Sequence, residues 1–402
     1  MVVALFFIWG GMTSLNDILI PKLKGLFSLS YAEVMLTQFA FFAAYFIVSL
    51  PAGALVARVG YLKGIVIGLG VMAFGCVMFV PASGSGIFAT FLAALFILAA
   101  GITILQVAAN PLIANLGSAA TSHSRLTLAQ AFNSLGTTIF PLAGAQWILG
   151  SINKTDPSTL SGAALTAFQT TEAAVIGHAY IGIAAVLALA ACAFWWRRAE
   201  LGDDRGASAS LSGSFGLLRR PRLAFGVASI FVYVGAEVSI GSLLVNYLMQ
   251  PGVMGLAQRT AGSMLSFYWG GAMVGRFLGV FALRIFAPGK VLSSVALGAG
   301  LLALTSASLT GAAAGWVLLC VGLMNAIMFP TIFSLAVEGL GDKTPQGSGL
   351  LCMAIVGGAI VPLITGRVAD QTTLATALIV PAICYVIVAG YGWSARNPID
   401  AS

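Results

Sequence analysis

The sequence predicts an all-α membrane protein of twelve transmembrane helices, arranged as two six-helix halves. Of the 402 residues, 59% are hydrophobic and only 8% are charged, whereas a soluble domain carries about 25% charged residues. Apolar runs long enough to cross a bilayer, about 20 residues each, recur twelve times along the chain. Lipid is therefore the solvent that this composition fits.

The apolar runs fall into two groups on either side of a short polar stretch. The first six lie near residues 2–20, 32–57, 64–82, 87–115, 126–150 and 173–196, and the second six lie near 223–248, 260–283, 291–309, 313–337, 347–368 and 373–394. The stretch between them is rich in arginine, glycine and serine, which is typical of a flexible, water-exposed linker. We expect an N-terminal bundle at 1–197, a cytoplasmic linker at 198–222 and a C-terminal bundle at 223–402.

The basic residues predict an orientation in the membrane. The net charge is +7, but the Lys and Arg residues lie in breaks between apolar runs, not in a patch interleaved with aromatics, so no nucleic-acid partner is expected. Most of them fall on the side of the linker and of both termini. Because cytoplasmic loops carry the excess of Lys and Arg, we expect a multi-pass protein of the inner (plasma) membrane with both termini in the cytoplasm. We expect it to be a monomer in the lipid bilayer.

The cysteines and histidines predict no metal centre and no cofactor. All five cysteines lie inside apolar runs without a C-x-x-C pair, and the two histidines, His123 and His178, are far apart. A membrane enzyme would need a nucleophile and base, or a metal set, in one plane. The sequence offers neither, so we do not expect an enzyme.

The two halves resemble each other in sequence. Gly136 and Pro141 in the fifth run recur as Gly357 and Pro362 in the eleventh, at an offset of 221 positions. Pro111 in the fourth run similarly matches Pro330 in the tenth, at an offset of 219. Repeats of six spans in the same direction place a substrate path at the interface of the halves, near the middle of the membrane.

Three charged residues lie well inside the predicted spans, away from their ends, where charge is costly unless it faces protein or water. Asp17 in the first span is a candidate for carrying a coupling proton, and the alternative is a structural partner of a cation on another span. Glu237 in the seventh span, one turn from Tyr233, is a candidate for binding substrate or for a structural pairing. Arg276 in the eighth span is interpreted, with Arg58 and Arg284, as part of a cytoplasmic gate.

Neutral amides on consecutive spans predict the wall of a polar cavity. Gln106 and Asn110 are four residues apart on the fourth span, and Gln130 and Asn133 are three apart on the fifth. Gln38 on the second span and Asn325 on the tenth add to this set. Amide side chains both donate and accept hydrogen bonds, which suits the hydroxyl groups of a sugar. Each of them alone would also fit a helix–helix contact.

Six stretches of the chain together resemble the fucose–proton symporter family of the major facilitator superfamily, in its glucose/galactose permease branch. They are Leu15–Pro21, Ala108–Pro111, Leu128–Ser134, Tyr233–Ala236, Gly275–Phe277 and Pro330–Ser334. The resemblance implies a twelve-helix fold, alternating access and cation-coupled import of monosaccharides. It also implies that Asp17 is the acid of the first span and that Gln130 and Asn133 are the polar pair of the fifth. The second acid of the fucose carriers would fall at Gln106, where this chain has an amide.

The sequence thus predicts a secondary active transporter that imports a hexose, of the glucose or galactose kind, by symport with a cation. A proton is the favoured coupling ion, and sodium is the alternative. An uncoupled uniporter or a lipid-type carrier of the same fold would also fit the sequence. The predicted substrate-binding residues are Gln38, Gln106, Asn110, Gln130, Asn133, Glu237 and Asn325.

Overall fold

The computed structural model describes residues 2–27, 36–118, 121–144, 162–196 and 211–397, and these are almost entirely helical. The first half contains six helices: α1 Val2–Phe27, α2 Leu36–Val59, α3 Tyr61–Ser85, α4 Phe88–Asn115, α5 Ser122–Gly144 and α6 Ala163–Trp196. A short helix, Leu211–Gly216, and a 3-10 turn, Leu217–Arg219, precede the second half.

The second half also contains six helical segments, some of which are interrupted. They begin with α7 Pro221–Met249, α8 Gln258–Ile285 and α9 Pro288–Ser308. The segment α10 consists of Ala312–Asn325 and Met328–Val337, and α11 consists of Thr344–Met353, a 3-10 turn at Ala354–Val356 and Gly357–Gln371. The last segment, α12, consists of Leu374–Ala377 and Ile379–Ser394.

Within the described residues, nine of these segments are long and apolar enough to cross a membrane, and α1 adds a shorter apolar helix at Val2–Ser14. The other two segments are α5 and α8, which carry Gln130, Asn133 and Arg276 among their apolar residues. The less apolar helices are thus ones in which the sequence predicts functional side chains.

Helix packing confirms the predicted internal repeat. In the first half α1 packs on α5, and α3 packs on α4 and α6; in the second half α7 packs on α11, and α9 packs on α10 and α12. The glycine pair of the repeat occupies matching places. A Cβ on Gly136 would lie 2.1 Å from the carbonyl oxygen of Phe7, and one on Gly357 would lie 1.9 Å from that of Phe231. Each glycine therefore allows the first helix of its half to approach closely.

The two halves meet through α2 against α11 and through α5 against α8 and α10. A Cβ on Gly53 of α2 would lie 2.9 Å from the carbonyl oxygen of Pro345, and one on Gly349 of α11 would lie 2.8 Å from that of Ser49. The hydroxyl of Ser348 donates to the carbonyl oxygen of Val107 in α4 at 3.1 Å. These contacts lie where α2 and α4 end and α11 begins, which is the end that the linker joins. We call these contacts the linker-end seal, and the seal also includes the contacts made by the start of α5, which are described next.

The start of α5 completes the linker-end seal. The hydroxyl of Ser124 donates to the carbonyl oxygen of Val280 in α8 at 3.0 Å, and Arg284 donates to Ser124 Oγ at 3.3 Å. His123 Nδ1 and Ser334 Oγ of α10 lie 2.5 Å apart, and both residues are buried. Polar contacts between the halves are thus concentrated at this end.

Several predicted boundaries were wrong. The first helix runs to Phe27 instead of ending near 20, and α6 begins at Ala163 instead of near 173. The prediction followed apolar residues, but helices continue past the apolar run because their backbone groups must still be hydrogen-bonded. The longer α6 contains Glu172, which is 5% exposed and which lies outside the predicted spans.

The sequence also failed to predict the interruptions of α10 and α11. The first lies between Asn325 and Met328, shortly before Pro330, whose ring removes a helical hydrogen bond and crowds the preceding turn. The second is the 3-10 turn at Ala354–Val356 immediately before Gly357. In the first half, α4 continues through Pro111 without an interruption, so the two halves differ in this respect.

Candidate functional site

Three of the predicted amides of the first half, Gln106, Asn110 and Gln130, lie together and are buried. Gln106 Nε2 on α4 donates a hydrogen bond to the hydroxyl of Tyr45 on α2. Gln130 Nε2 on α5 donates to Asn110 Oδ1 on α4 at 3.5 Å. All four residues are at most 5% exposed. These two pairs connect three helices and form one polar wall.

Asn133 connects this wall to α1. Its Nδ2 donates to the carbonyl oxygen of Phe6 at 3.0 Å, and a Cβ on Gly10 would lie only 2.1 Å from the carbonyl oxygen of Asn133. Asp17 lies further along α1, and its side chain is outside the described residues. Gln38 is half-buried on α2, seven residues before Tyr45.

One hydrogen-bond donor of the wall has no partner among the described residues. Asn110 is fully buried, and although its Oδ1 accepts from Gln130, its Nδ2 is unpaired. A buried donor without an acceptor costs about 1–3 kcal/mol.

In the second half, Glu237 belongs to a group of tyrosine hydroxyls. The Tyr233 hydroxyl lies 2.8 Å from Glu237 Oε1 and 3.1 Å from the carbonyl oxygen of Asn325. The Tyr268 hydroxyl lies 3.3 Å from the carbonyl oxygen of Glu237 and accepts from Asn325 Nδ2 at 2.8 Å. Glu237 as a residue is half-buried, and one of its carboxyl oxygens accepts the hydrogen bond of Tyr233.

The buried Tyr385 belongs to the same group, since its side chain interacts with those of Asn325 and Glu237. Sequence reasoning missed Tyr268 and Tyr385 because a tyrosine inside an apolar run resembles an ordinary core residue. The four-residue spacing of Tyr233 and Glu237 places these two side chains on one helix face, but no such spacing within one helix connects Tyr268 or Tyr385 to Glu237.

Of the three predicted gating arginines, two contact the opposite half. Arg276 Nε donates to the carbonyl oxygen of Ala326 at 3.1 Å, and its Nη1 donates to that of Gln130, in the other half, at 3.4 Å. Arg284 donates to Ser124 in the linker-end seal. Arg58 is exposed at the end of α2. A gating role remains a prediction for all three residues.

Arg125, which the sequence does not single out, fixes the two wall helices of the first half to each other. Its Nη2 donates to the carbonyl oxygen of Ala114 at 2.6 Å, and its Nε donates to that of Ile113 at 3.3 Å. The same side chain donates to the carbonyl oxygen of Ser118 at 2.9 Å and to the hydroxyl of Thr121. One side chain at the start of α5 thus satisfies carbonyl groups at the end of α4, where a helix leaves them without helical partners.

The side chains of the site can both donate hydrogen bonds to hydroxyl groups and accept hydrogen bonds from them. The first half presents amides that donate and accept, and the second presents ring hydroxyls, one amide and one carboxylate. Among the described residues, no group of three or more His, Cys, Asp or Glu side chains is placed to hold a metal ion.

Two bundles of six helices, related by an internal repeat and joined around a polar centre, define a multi-pass membrane transporter. The family model of the major facilitator superfamily matches residues 1–362. The chain belongs to the major facilitator superfamily.

Relatives and a solved structure resemble nearly the whole chain. A glucose/galactose transporter of Brucella abortus is 50% identical over 390 residues, covering 96% of this chain and 91% of that protein. The L-fucose-proton symporter of Escherichia coli is 34% identical over 398 residues, covering 96% and 90%. The crystal structure of the transporter FucP in the outward conformation has a TM-score of 0.90 and 32% identity, and covers 98% of each chain.

Proposed function

We propose that the protein is a symporter that imports a hexose, of the glucose or galactose kind, together with a proton. The observation that carries this proposal is the buried amide wall formed by Gln106, Asn110 and Gln130, whose hydrogen-bonding groups suit sugar hydroxyls. The Brucella relative named as a glucose/galactose transporter supports the sugar class. The relative named as an L-fucose-proton symporter supports coupling to protons.

The contacts between the halves favour alternating access with the structure closed at the linker end. Ser348 bonds to Val107, and Ser124 bonds to Val280, both across the interface of the halves. The likeness to FucP in the outward conformation agrees with this closure. With both termini in the cytoplasm, the sugar would enter between the halves from outside and leave at the linker end.

We assign the hydroxyl-binding role to both halves. The first half would contribute Gln38, Gln106, Asn110, Gln130 and Asn133, and the second half would contribute Glu237 and Asn325. Asp17 would carry the coupling proton. An acid inside a span is costly unless its change of charge is part of a cycle, and Gln106 stands where the resemblance would place a second acid.

The decisive experiment separates coupling from binding in Asp17→Asn. The amide mimics a permanently protonated acid, so the purified variant in liposomes should lose uphill accumulation of the sugar under an imposed proton gradient. It should keep sugar counterflow, which requires only that the loaded carrier reorients. Glu172→Gln is the matched control, since it removes another buried acid, and it should retain both activities.

Three results would contradict parts of this proposal. Concentrative uptake by Asp17→Asn would refute the assignment of the proton. Accumulation that depends on sodium at fixed pH would replace the proton by sodium. Counterflow of the parent protein with none of a panel of hexoses would refute the sugar class and leave a lipid-type carrier of the same fold.

A further inference from the structure

The interruption of α10 includes a backbone carbonyl that lacks its helical donor. In a regular helix the carbonyl oxygen of Ala326 would accept from the N–H of residue 330, four positions later. Residue 330 is a proline, which has no N–H. Arg276 Nε of α8 donates to this oxygen at 3.1 Å. The guanidinium thus replaces the backbone donor that the proline lacks.

The internal repeat shows that this replacement has a counterpart in the first half. Pro111 matches Pro330, and it removes the helical donor of the Val107 carbonyl. The hydroxyl of Ser348 donates to that carbonyl oxygen at 3.1 Å. A side chain from another helix therefore donates to the carbonyl at each proline of the repeat, and in the second half this side chain is charged.

A close contact between α8 and α10 brings Arg276 to the interruption. A Cβ on Gly275 would lie 2.6 Å from the carbonyl oxygen of Leu323 and 2.6 Å from Ala326 Cβ, so the glycine lets the two helices approach directly before the arginine. The guanidinium has five N–H donors in a fixed plane, and its Nη1 donates to the carbonyl oxygen of Gln130 at 3.4 Å. One side chain thus contacts both α10 and the helix of the amide wall.

The carbonyl that Arg276 binds adjoins the polar group around Glu237. Asn325 directly precedes Ala326, and its carbonyl oxygen lies 3.1 Å from the hydroxyl of Tyr233. The same hydroxyl lies 2.8 Å from Glu237 Oε1, and the charge of Arg276 interacts with that of Glu237. A displacement of α10 at this point would therefore move Asn325 and disturb the contact that orients the carboxylate.

We propose that Arg276 is a positioning residue of the sugar site, and that its guanidinium holds the interrupted α10 so that Asn325 and Glu237 keep the geometry that binds sugar hydroxyls. This role differs from that of a gate, because a gate controls the rate of reorientation whereas a positioning residue controls affinity. Lysine would replace arginine poorly, since one ammonium group does not have the planar fork that contacts two carbonyls. The inference rests on the proposed function for its sugar, but the contact with α10 does not depend on it.

The first test separates affinity from turnover in Arg276→Met, which removes the guanidinium and keeps an unbranched side chain. The dissociation constant for radiolabelled galactose or glucose, measured at equilibrium on the purified protein, should rise about tenfold or more, because a hydrogen bond from a charged donor is lost. Counterflow at saturating sugar should stay within about threefold of the parent. Lys290→Gln is the control for the loss of one positive charge. Lys290 is exposed at the start of α9, and the variant should keep both parental values.

The second test uses no sugar and follows α10 itself. Hydrogen–deuterium exchange of the peptide 324–333, measured by mass spectrometry on the purified protein, reports how often the backbone near the interruption opens. Loss of the guanidinium should accelerate exchange in Arg276→Met by about fivefold or more. Lys290→Gln should exchange like the parent.

Several outcomes would overturn the proposal. Parental sugar affinity in folded Arg276→Met, with slower counterflow at saturating sugar, would make Arg276 a gate. Unchanged exchange of the peptide would mean that the guanidinium does not hold α10. Arg276→Lys keeps the charge and replaces Arg276→Met if that variant does not fold; its dissociation constant should rise about threefold or more, and parental affinity would refute the role. A parent protein that binds no hexose would refute the proposed function instead, and the exchange of α10 would still decide this inference.

Discussion

Gly10→Ala tests whether the close contact of α1 with α5 sets the geometry of the site. The added Cβ would lie 2.1 Å from the carbonyl oxygen of Asn133 and 2.8 Å from its Nδ2. The carbonyl oxygen belongs to the backbone of α5, so a change of rotamer cannot relieve the overlap. The two helices must separate by about 1.3 Å to bring this distance from 2.1 Å to the 3.4 Å at which ordinary contact begins, because protein interiors are close-packed.

The free-energy cost of this separation follows from two contacts. Forcing an extra methyl group into a packed interior costs about 1–3 kcal/mol. The bond from Asn133 Nδ2 to Phe6 is 3.0 Å long, and stretching it by about 1 Å would lose a further 0.5–1.5 kcal/mol, roughly. Alanine has a higher helix propensity than glycine, which offsets about 1 kcal/mol of this cost. The net destabilisation is therefore about 0.5–3.5 kcal/mol.

The assay compares Gly10→Ala with Gly182→Ala, whose added Cβ would meet nothing within 4 Å. Thermal inactivation in detergent should occur at a lower temperature for Gly10→Ala and not for Gly182→Ala. Hexose counterflow at subsaturating sugar should fall about five- to thirtyfold, which corresponds to one or two misplaced hydrogen bonds of about 1 kcal/mol each. If both variants keep the stability and the counterflow of the parent, the contact of Gly10 does not position the site.

Three further variants test other parts of the site. Gln106→Glu adds a titrating group to the wall, so the pH profile of uptake should change; a superimposable profile would place residue 106 away from the substrate path. Glu237→Ala removes a charged hydrogen-bond acceptor, so the half-saturating sugar concentration should rise about tenfold or more; an unchanged value would remove Glu237 from the binding set. Tyr233→Phe leaves the carboxylate in place and should have a smaller effect, and an effect as large as that of Glu237→Ala would mean that the hydroxyl itself binds sugar.

The sequence predicted the twelve helices and the repeat because both depend on patterns that are visible in one chain. Apolar runs of bilayer length identify spans regardless of their neighbours. Gly136 and Gly357 are the glycines of the predicted repeat, and the structure has a close helix contact at each of them. The hydrogen bond of Tyr233 to Glu237 likewise follows from spacing along one helix.

Features that depend on contacts between distant helices could not be predicted in this way. Tyr45 is the partner of Gln106, but 61 positions separate them, and nothing local distinguishes this tyrosine from a core residue. The hydroxyl of Thr127 lacks a partner among the described residues only because of what packs around it. The buried position of Glu172 was missed because α6 begins before its apolar run. Patterns within a short stretch of sequence thus predict helices. Which polar atoms find hydrogen-bond partners depends on how distant helices pack together.

Arg125 binds the end of α4 to the start of α5 through the carbonyl oxygens of Ala114 and Ile113. Gln106, Asn110, Gln130 and Asn133 all lie on these two helices, so these side chains should keep their mutual geometry during the proposed alternating access. The corresponding helices of the second half are not continuous, since α10 is interrupted close to Asn325 and α11 close to Gly357. The interrupted helices α10 and α11 would then determine how much the sugar affinity differs between the two faces of the membrane. Variants in which α10 or α11 is a continuous helix should show similar sugar affinities on both faces.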